Sequence, residues 1–299
     1  MIYDCFTFFN EIEILKIRLE LYYNIVDYFV ISECSVTQTG IKKEFNFEQK
    51  KDLFQKYLDK IIYIKADNPP VYDKNENFCW SIENYQRNQI FEGLKNCNKN
   101  DIILVSDIDE FWNPFLFEKS NDFFVEKFQN GYGRKYRYKQ FFKLFFLNPF
   151  LTKSKDVFFY LKYTPVVLEQ DFFYYFINYK RNEKWHGTVV SKYKNIKTIQ
   201  NLRDRRNYLP FVYSKKFVPG WHFSYLGGKE KIKQKLKSIV EGKICSKENL
   251  DSWIDNCLKN RIDLFDRKKS SISYISPEDV QFPLLNFIKE NNSNFIYEE

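Results

Sequence analysis

Asp107, Asp109 and Glu110 crowd three carboxylates into four residues of the segment Val105-Ser106-Asp107-Ile108-Asp109-Glu110, directly after the apolar run Ile102-Ile103-Leu104-Val105. Like charges at such spacing repel and lose solvation unless a cation or basic group compensates them. Oxygen ligands suit Mg²⁺ or Mn²⁺, which commonly bridge a carboxylate to substrate phosphates. Their place matters, because ligands of open α/β sheets gather outside the carboxyl ends of strands. The bland alternative is a solvated turn with helix-capping acids.

A second feature is Pro219-Gly220-Trp221-His222-Phe223-Ser224-Tyr225-Leu226-Gly227-Gly228-Lys229. Its Gly-Gly turn opens a basic helix, whose free N–H groups together with Lys229 would favour a diphosphate. A neutral His222 would supply nitrogen to the cation held by Asp109; the alternatives are a structural histidine and a merely solvated lysine face. The third is Trp80-Ser81-Ile82-Glu83 followed by Gln86-Arg87-Asn88. Glu83 and Arg87 at i, i+4 form an intrahelical pair worth a few tenths of a kcal/mol, unless Arg87 or Asn88 points at a nucleotide.

Several chemistries have no motif. There is no Walker-type phosphate loop, no GxGxxG, no GxSxG and no HExxH. With two histidines, His186 and His222, a Ser/His/Asp hydrolase has few ways to be built, and a zinc cluster fewer. The basic segments Arg134 to Lys139 and Arg203-Asp204-Arg205-Arg206 permit nucleic-acid contact. Their nearby aromatics add little, since 32 Phe and 22 Tyr are spread along the chain.

The 299 residues exceed one typical domain of ~100–200. Hydrophobic residues at 44% are enough for a core, which excludes a wholly disordered chain. Nine Gly, nine Pro and six Cys exclude collagen-like and disulfide-scaffold proteins. The net charge of +8 suits an anionic partner, whether nucleotide, nucleic acid or acidic membrane, or simply solubility. No apolar run approaches the ~18 residues of a membrane span, no signal peptide is visible, and the cysteines form no CxxC pair. Reduced thiols in a cytosolic protein are the expectation.

The elements that must position these residues follow from periodicity. Met1 to Thr7 reads as a strand; Ile12, Leu15, Leu19, Tyr22 and Val26 step along one helical face. Tyr28 to Ile31, Ile61 to Ile64 and Ile102 to Val105 read as buried strands, and Phe54, Tyr57 and Ile61 suggest a helix between them. Ser81 is placed to cap the next helix. Alternating strands and helices predict an α/β layer with a parallel sheet over residues 1 to about 112. The aromatic runs of Tyr132 to Val190, including Phe141-Phe142 and Val157 to Tyr160, predict antiparallel strands completing the sheet. A helix follows Gly227-Gly228, another runs through Trp253 to Leu258, and little structure is expected after it.

These blocks together resemble glycosyltransferase family 17, the group containing the β-1,4-mannosyl-glycoprotein N-acetylglucosaminyltransferase. The matching stretches are Tyr3-Asp4-Cys5-Phe6 with Phe8-Phe9-Asn10-Glu11, Val26 to Glu33, Trp80 to Asn88, Val105 to Glu110 and Gly220 to Tyr225. The resemblance spans roughly residues 1 to 245. It implies a GT-A-like, Rossmann-type mixed sheet flanked by helices, with a nucleotide-binding half over about 1–112, an acceptor half over about 113–245 and a helical C-terminal extension over 246–299. It also implies inverting transfer from a UDP-sugar, of the GlcNAc class, to a hydroxyl of a glycan or lipid-linked saccharide.

By the same resemblance Asp109 would ligate Mn²⁺ or Mg²⁺ with His222, and Asp107 would contact ribose or the metal. Phe8, Asn10 and Glu33 would line the base and ribose pocket, with Arg87 and Asn88 supporting the nucleotide. Inversion requires a carboxylate to take the acceptor's proton, for which Glu110 and Glu230 are the candidates. Family members of eukaryotes are membrane-anchored; this sequence instead suggests a cytosolic bacterial or viral enzyme. Its Lys229–Lys237 helix would touch an anionic membrane or remain solvated. The rival readings are a basic nucleic-acid-binding protein and a catalytically inactive glycan-binding module.

Overall fold

The computed structural model describes residues 1–73, 79–126, 156–244, 249–267 and 270–298. Strands β1 (Ile2–Phe8), β2 (Tyr28–Cys34), β3 (Ile61–Ala66) and β4 (Ile102–Asp107) pair in parallel in the order β3-β2-β1-β4. Their apolar residues alternate between two faces, as the period of two requires. Phe6, Phe8, Phe29, Ile31 and Leu104 pack on one side with Leu15, Leu19 and Tyr22 of helix α1 (Ile12–Tyr22). Tyr3, Cys5, Val30, Ile103 and Val105 pack on the other with Ile90 and Leu94. Burial on both faces explains why these strands read as continuous apolar runs.

Beyond β4 the sheet turns antiparallel. It continues through β8 (Tyr179–Lys192) and β7 (Val166–Tyr174), then β10 (Gly220–Ser224) and β5 (Glu110–Trp112). β4 pairs antiparallel with β8, β7 antiparallel with β8, and β10 lies parallel to β7 and antiparallel to β5. At the side, β9 (Phe211–Ser214) joins β7 to β6 (Phe123–Glu126). This mixed α/β architecture agrees with the GT-A-like expectation. The parallel order reverses direction of growth at β1 and β4, whose carboxyl ends meet at the Thr7–Asp107 register pair.

Helices α2 (Ser81–Gln89), α3 (Ile199–Asp204), α4 (Gly228–Ser238) and α5 (Leu250–Asn260) surround the sheet. Gly227 and Gly228 have φ of 97° and 80°, a left-handed turn that glycine enters without steric cost and that opens α4.

Local expectations differ from the structure at four places. Trp80, not Ser81, precedes α2 at the cap position; Ser81 is the first helical residue and its hydroxyl contacts Cys79 Sγ. The Phe54–Ile61 helix is a 3₁₀ segment over Lys51–Lys60. Val157 to Tyr160 lies in a short helix, Val157–Leu161, because Asp156 accepts the Phe159 N–H and caps it. The C-terminal extension is not only helical. It contributes strand β11 (Ile272–Tyr274) antiparallel to β8, and Val280, Phe282, Ile288 and Phe295 join the main core. Arg134 to Lys139 and Phe141-Phe142 lie outside the described residues. No helix among the described residues is long and apolar enough to cross a membrane.

Candidate active site

A cavity of about 780 Å³ opens outside the carboxyl ends of β1 and β4, where the switch-point rule places a ligand. Thr7, Phe8, Asp107, Ile108 and Asp109 form its floor; Arg87 comes from α2, Arg203 from the end of α3, Trp185 from β8, His222 from β10 and Lys235 from α4.

The segment after β4 is held by its backbone. Arg18, fully buried on α1, donates to the carbonyls of Asp107, Ile108 and Glu110 at 3.3, 3.0 and 2.8 Å. It donates to Ser106 Oγ at 2.6 Å as well. Asp4 neutralises it within the core. With the backbone gathered around one cation, the three acids of the turn leave it in different directions.

Each acid then meets a different partner. Asp107 accepts from Arg203 Nη2 at 2.8 Å and Arg87 Nη2 at 3.1 Å. Burial would raise its carboxyl, but Arg203, Arg87 and Arg206 outweigh burial and hold it well below the usual carboxylate range. Asp109 receives Lys235 Nζ at 2.8 Å; there too burial is outweighed, by Lys235 and then His222, and the carboxyl is lowered. Glu110 has no exposure. It accepts from Arg203 on both oxygens, from Trp185 Nε1 at 2.7 Å and from the Asp107 N–H at 3.0 Å.

His222 lies in register with Glu110, its ring 4.7 Å from Phe172 and 4.5 Å from Trp185 between centroids. Burial lowers its pKa, against the pull of Asp109 and Glu110. Its buried Nδ1 has no hydrogen-bond partner among the described residues.

Two carboxylates and an imidazole are suitable donor types for Mn²⁺ or Mg²⁺, and His222 Nδ1, 3.8 Å from Glu110 Oε1 and without a hydrogen bond among the described residues, is an available nitrogen. The carboxylates, however, are drawn into separate salt bridges. Among the described residues no three His, Cys, Asp or Glu side chains are grouped to hold a metal ion. Of the expected Asp107, Asp109 and His222 set, Asp107 is paired with Arg87 and Arg203 and Asp109 with Lys235, while His222 stands in register with Glu110.

Other expected site residues divide similarly. Phe8 and Arg87 line the cavity, Arg87 being fixed by Glu83 and by Gln200 Oε1 at 2.7 Å. Asn10 lines a small adjoining cavity of about 50 Å³ beside Asp109 and Lys235. Asn88 faces α3 instead, accepting the Gln200 N–H at 2.9 Å. Glu33 is buried away from the cavity: it accepts the N–H groups of Asn46 and Phe47 at 2.6 and 3.0 Å, and pairs with Lys43. Lys229 pairs with Asp255 at 2.6 Å and Glu230 is exposed beside Lys233, so neither reaches the cavity. Lys229, Lys231, Lys233 and Lys235 are all ion-paired, which leaves α4 a weaker basic face than its sequence suggests.

Glu110 and Glu230, the expected proton acceptors, are thus placed unfavourably, one saturated by donors and the other turned to solvent. The cavity offers another acid. Glu83 is bound to Arg87, Glu11 accepts from the Phe9 and Asn10 N–H groups, and Asp204 accepts from Gln200. Glu241 also lines the cavity and has no side-chain ion pair among the described residues; burial raises its carboxyl above the ordinary value. Arg203, Arg206 and Lys235 were visible only as basic runs. Their direction into the cavity depends on α3 and α4 packing, and Glu241 carried no local signal.

Residues 1–117 match the family model described as glycosyltransferase family 17. The matched segment holds β1 to β5, Arg18, Arg87 and all three acids, while the wall carrying Arg203, His222, Lys235 and Glu241 lies beyond it. A comparison with curated proteins found no match. The segment 1–117, which carries the acidic turn at the head of the cavity, is thus similar to glycosyltransferase family 17, and that match supports a glycosyltransferase, an enzyme that acts on a sugar donor and an acceptor.

Proposed function

We propose that the protein transfers a sugar, of the N-acetylglucosamine class, from a UDP-sugar to a hydroxyl of a glycan or lipid-linked saccharide, with inversion at the anomeric carbon. The observation that carries this reading is the position of the cavity. It lies at the carboxyl ends of β1 and β4 and is walled by fixed cations from three other elements. A departing nucleoside diphosphate gains negative charge as its bond to the sugar breaks, and preorganised cations stabilise that charge more in the transition state than in the ground state.

In the proposed step the acceptor oxygen attacks the anomeric carbon. The bond from that carbon to the diphosphate oxygen breaks, and its electron pair leaves on the diphosphate. The acceptor's proton passes to Glu241, whose raised pKa suits a general base. Phe8 and Thr7 border the nucleotide end, and Asp107 is oriented by Arg87 and Arg203 to accept from a donor hydroxyl.

A thermal-shift panel of UDP, GDP and CDP sugars, each with and without Mn²⁺, tests the reading. A rise in Tm with UDP-sugars selectively is expected. No shift with any nucleotide sugar in either condition contradicts it, and hydrolysis of the donor by the purified protein distinguishes an active enzyme from an inactive glycan-binding module.

A further inference from the structure

Among the described residues six cationic side chains line the cavity, and five of them are committed to carboxylates. Lys43 is held by Glu33, Arg87 by Glu83 and Asp107, Arg203 by Asp107 and Glu110, Lys235 by Asp109, and Arg267 by Asp263. Arg206 differs. Among the described residues its ion-pair contact is Glu110 Oε1 at 3.8 Å, and that oxygen already accepts from Arg203 and Trp185. Its guanidinium rests 4.8 Å from the centroid of the Trp185 ring, which holds the plane without using its N–H donors.

We infer that Arg206, seated on Trp185, is the anion-binding residue of this cavity and takes the diphosphate of the nucleotide donor. This rests on the nucleotide-sugar reading above and names the group that recognises the donor's charged part. A guanidinium presents five N–H donors in a fixed fork that matches phosphate oxygens in pairs. Burial and the neighbouring Arg203 both disfavour its charge, so an incoming anion relieves a repulsion present in the unliganded protein. Trp185 has a second tie, its Nε1–H to Glu110, and Glu110 is fixed by Arg203; the platform is therefore tied to the turn that follows β4. The run Arg203-Asp204-Arg205-Arg206, open in sequence to a nucleic-acid reading, has two of its arginines facing this cavity.

The test compares UDP with uridine, which shares the base and ribose but lacks the diphosphate, on the full chain. UDP affinity is measured by calorimetry and uridine binding by saturation-transfer NMR, for wild type, Arg206→Ala and Arg206→Lys. Arg206→Ala is expected to weaken UDP about tenfold or more and leave uridine within twofold, with Arg206→Lys between, since lysine keeps charge but loses the fork. Unchanged UDP affinity in Arg206→Ala overturns the assignment, as does an equal loss for uridine, which would signal a collapsed pocket. A wild type that binds neither ligand contradicts the nucleotide-sugar reading itself, and this assignment with it.

Discussion

Arg18 and Asp4 face each other at 2.7 Å through two parallel hydrogen bonds, both side chains fully buried in the core beneath the turn that follows β4. The pair is more than a neutralised charge, because the remaining Arg18 donors hold three carbonyls of the segment 107–110. A buried ion pair contributes little net stability against an apolar replacement, but breaking one side leaves an uncompensated charge. Here it also fixes the backbone from which Asp107, Asp109 and Glu110 depart.

Asp4→Ala is expected to destabilise the protein by about 3–5 kcal/mol, read as a lowered urea midpoint. The Asp4/Arg18 double replacement by apolar residues is expected to recover part of that loss while UDP binding stays impaired, since the turn then lacks its clamp. Full recovery of both would show that Arg18 has no positioning role.

Glu110→Gln tests whether the buried acid is structural. Glutamine keeps the shape but loses the charge between Arg203, Arg206 and Trp185. A loss of stability of about 1–3 kcal/mol is expected from weakened charge-assisted bonds, together with weaker UDP binding and an unmoved pH–rate profile. A shifted acidic limb in that profile would instead make Glu110 the proton acceptor.

Glu241→Gln is expected to reduce the rate of donor turnover about 10²–10⁴-fold, the range of general-base contributions. UDP affinity should stay within twofold and the acidic limb of the pH–rate profile should vanish. Steady-state kinetics of UDP release, paired with calorimetry, separates these effects.

His186 supplies a pH dependence of stability. Burial, and secondarily Arg206, pushes its pKa down to about 4 from 6.5. A histidine depressed in the folded state binds its proton more readily when unfolded, so its contribution is complete above pH 6.5 and declines as pH falls towards 4. Between pH 7.5 and 5 the wild type is expected to lose about 1 kcal/mol through this group, after allowance for partial exposure. Urea titrations at both pH values should show a smaller drop in His186→Gln.

Much of the N-terminal half was legible because its signals are local. Ile102 to Val105 is apolar and buried on both faces, so the strand and the acids at its end could be read together. The Glu83–Arg87 pair followed from helical spacing alone. What could not be read is tertiary. Lys235 looked like one lysine of a solvated face, yet the position of α4 turns it onto Asp109. Glu33, at the end of β2, looked like a pocket residue, but the N–H groups of Asn46 and Phe47 and the Lys43 ammonium take up its carboxylate. Arg18 was invisible because a charged residue within an apolar helical face has no periodicity of its own; only its burial against Asp4 shows why it is there.

The most direct measurement is a crystal structure of the full chain soaked with UDP-N-acetylglucosamine. The expected result is nucleotide density at the ends of β1 and β4, with ribose beside Asp107 and diphosphate on Arg206. Density confined to another surface, or an empty cavity at saturating ligand, would contradict the account.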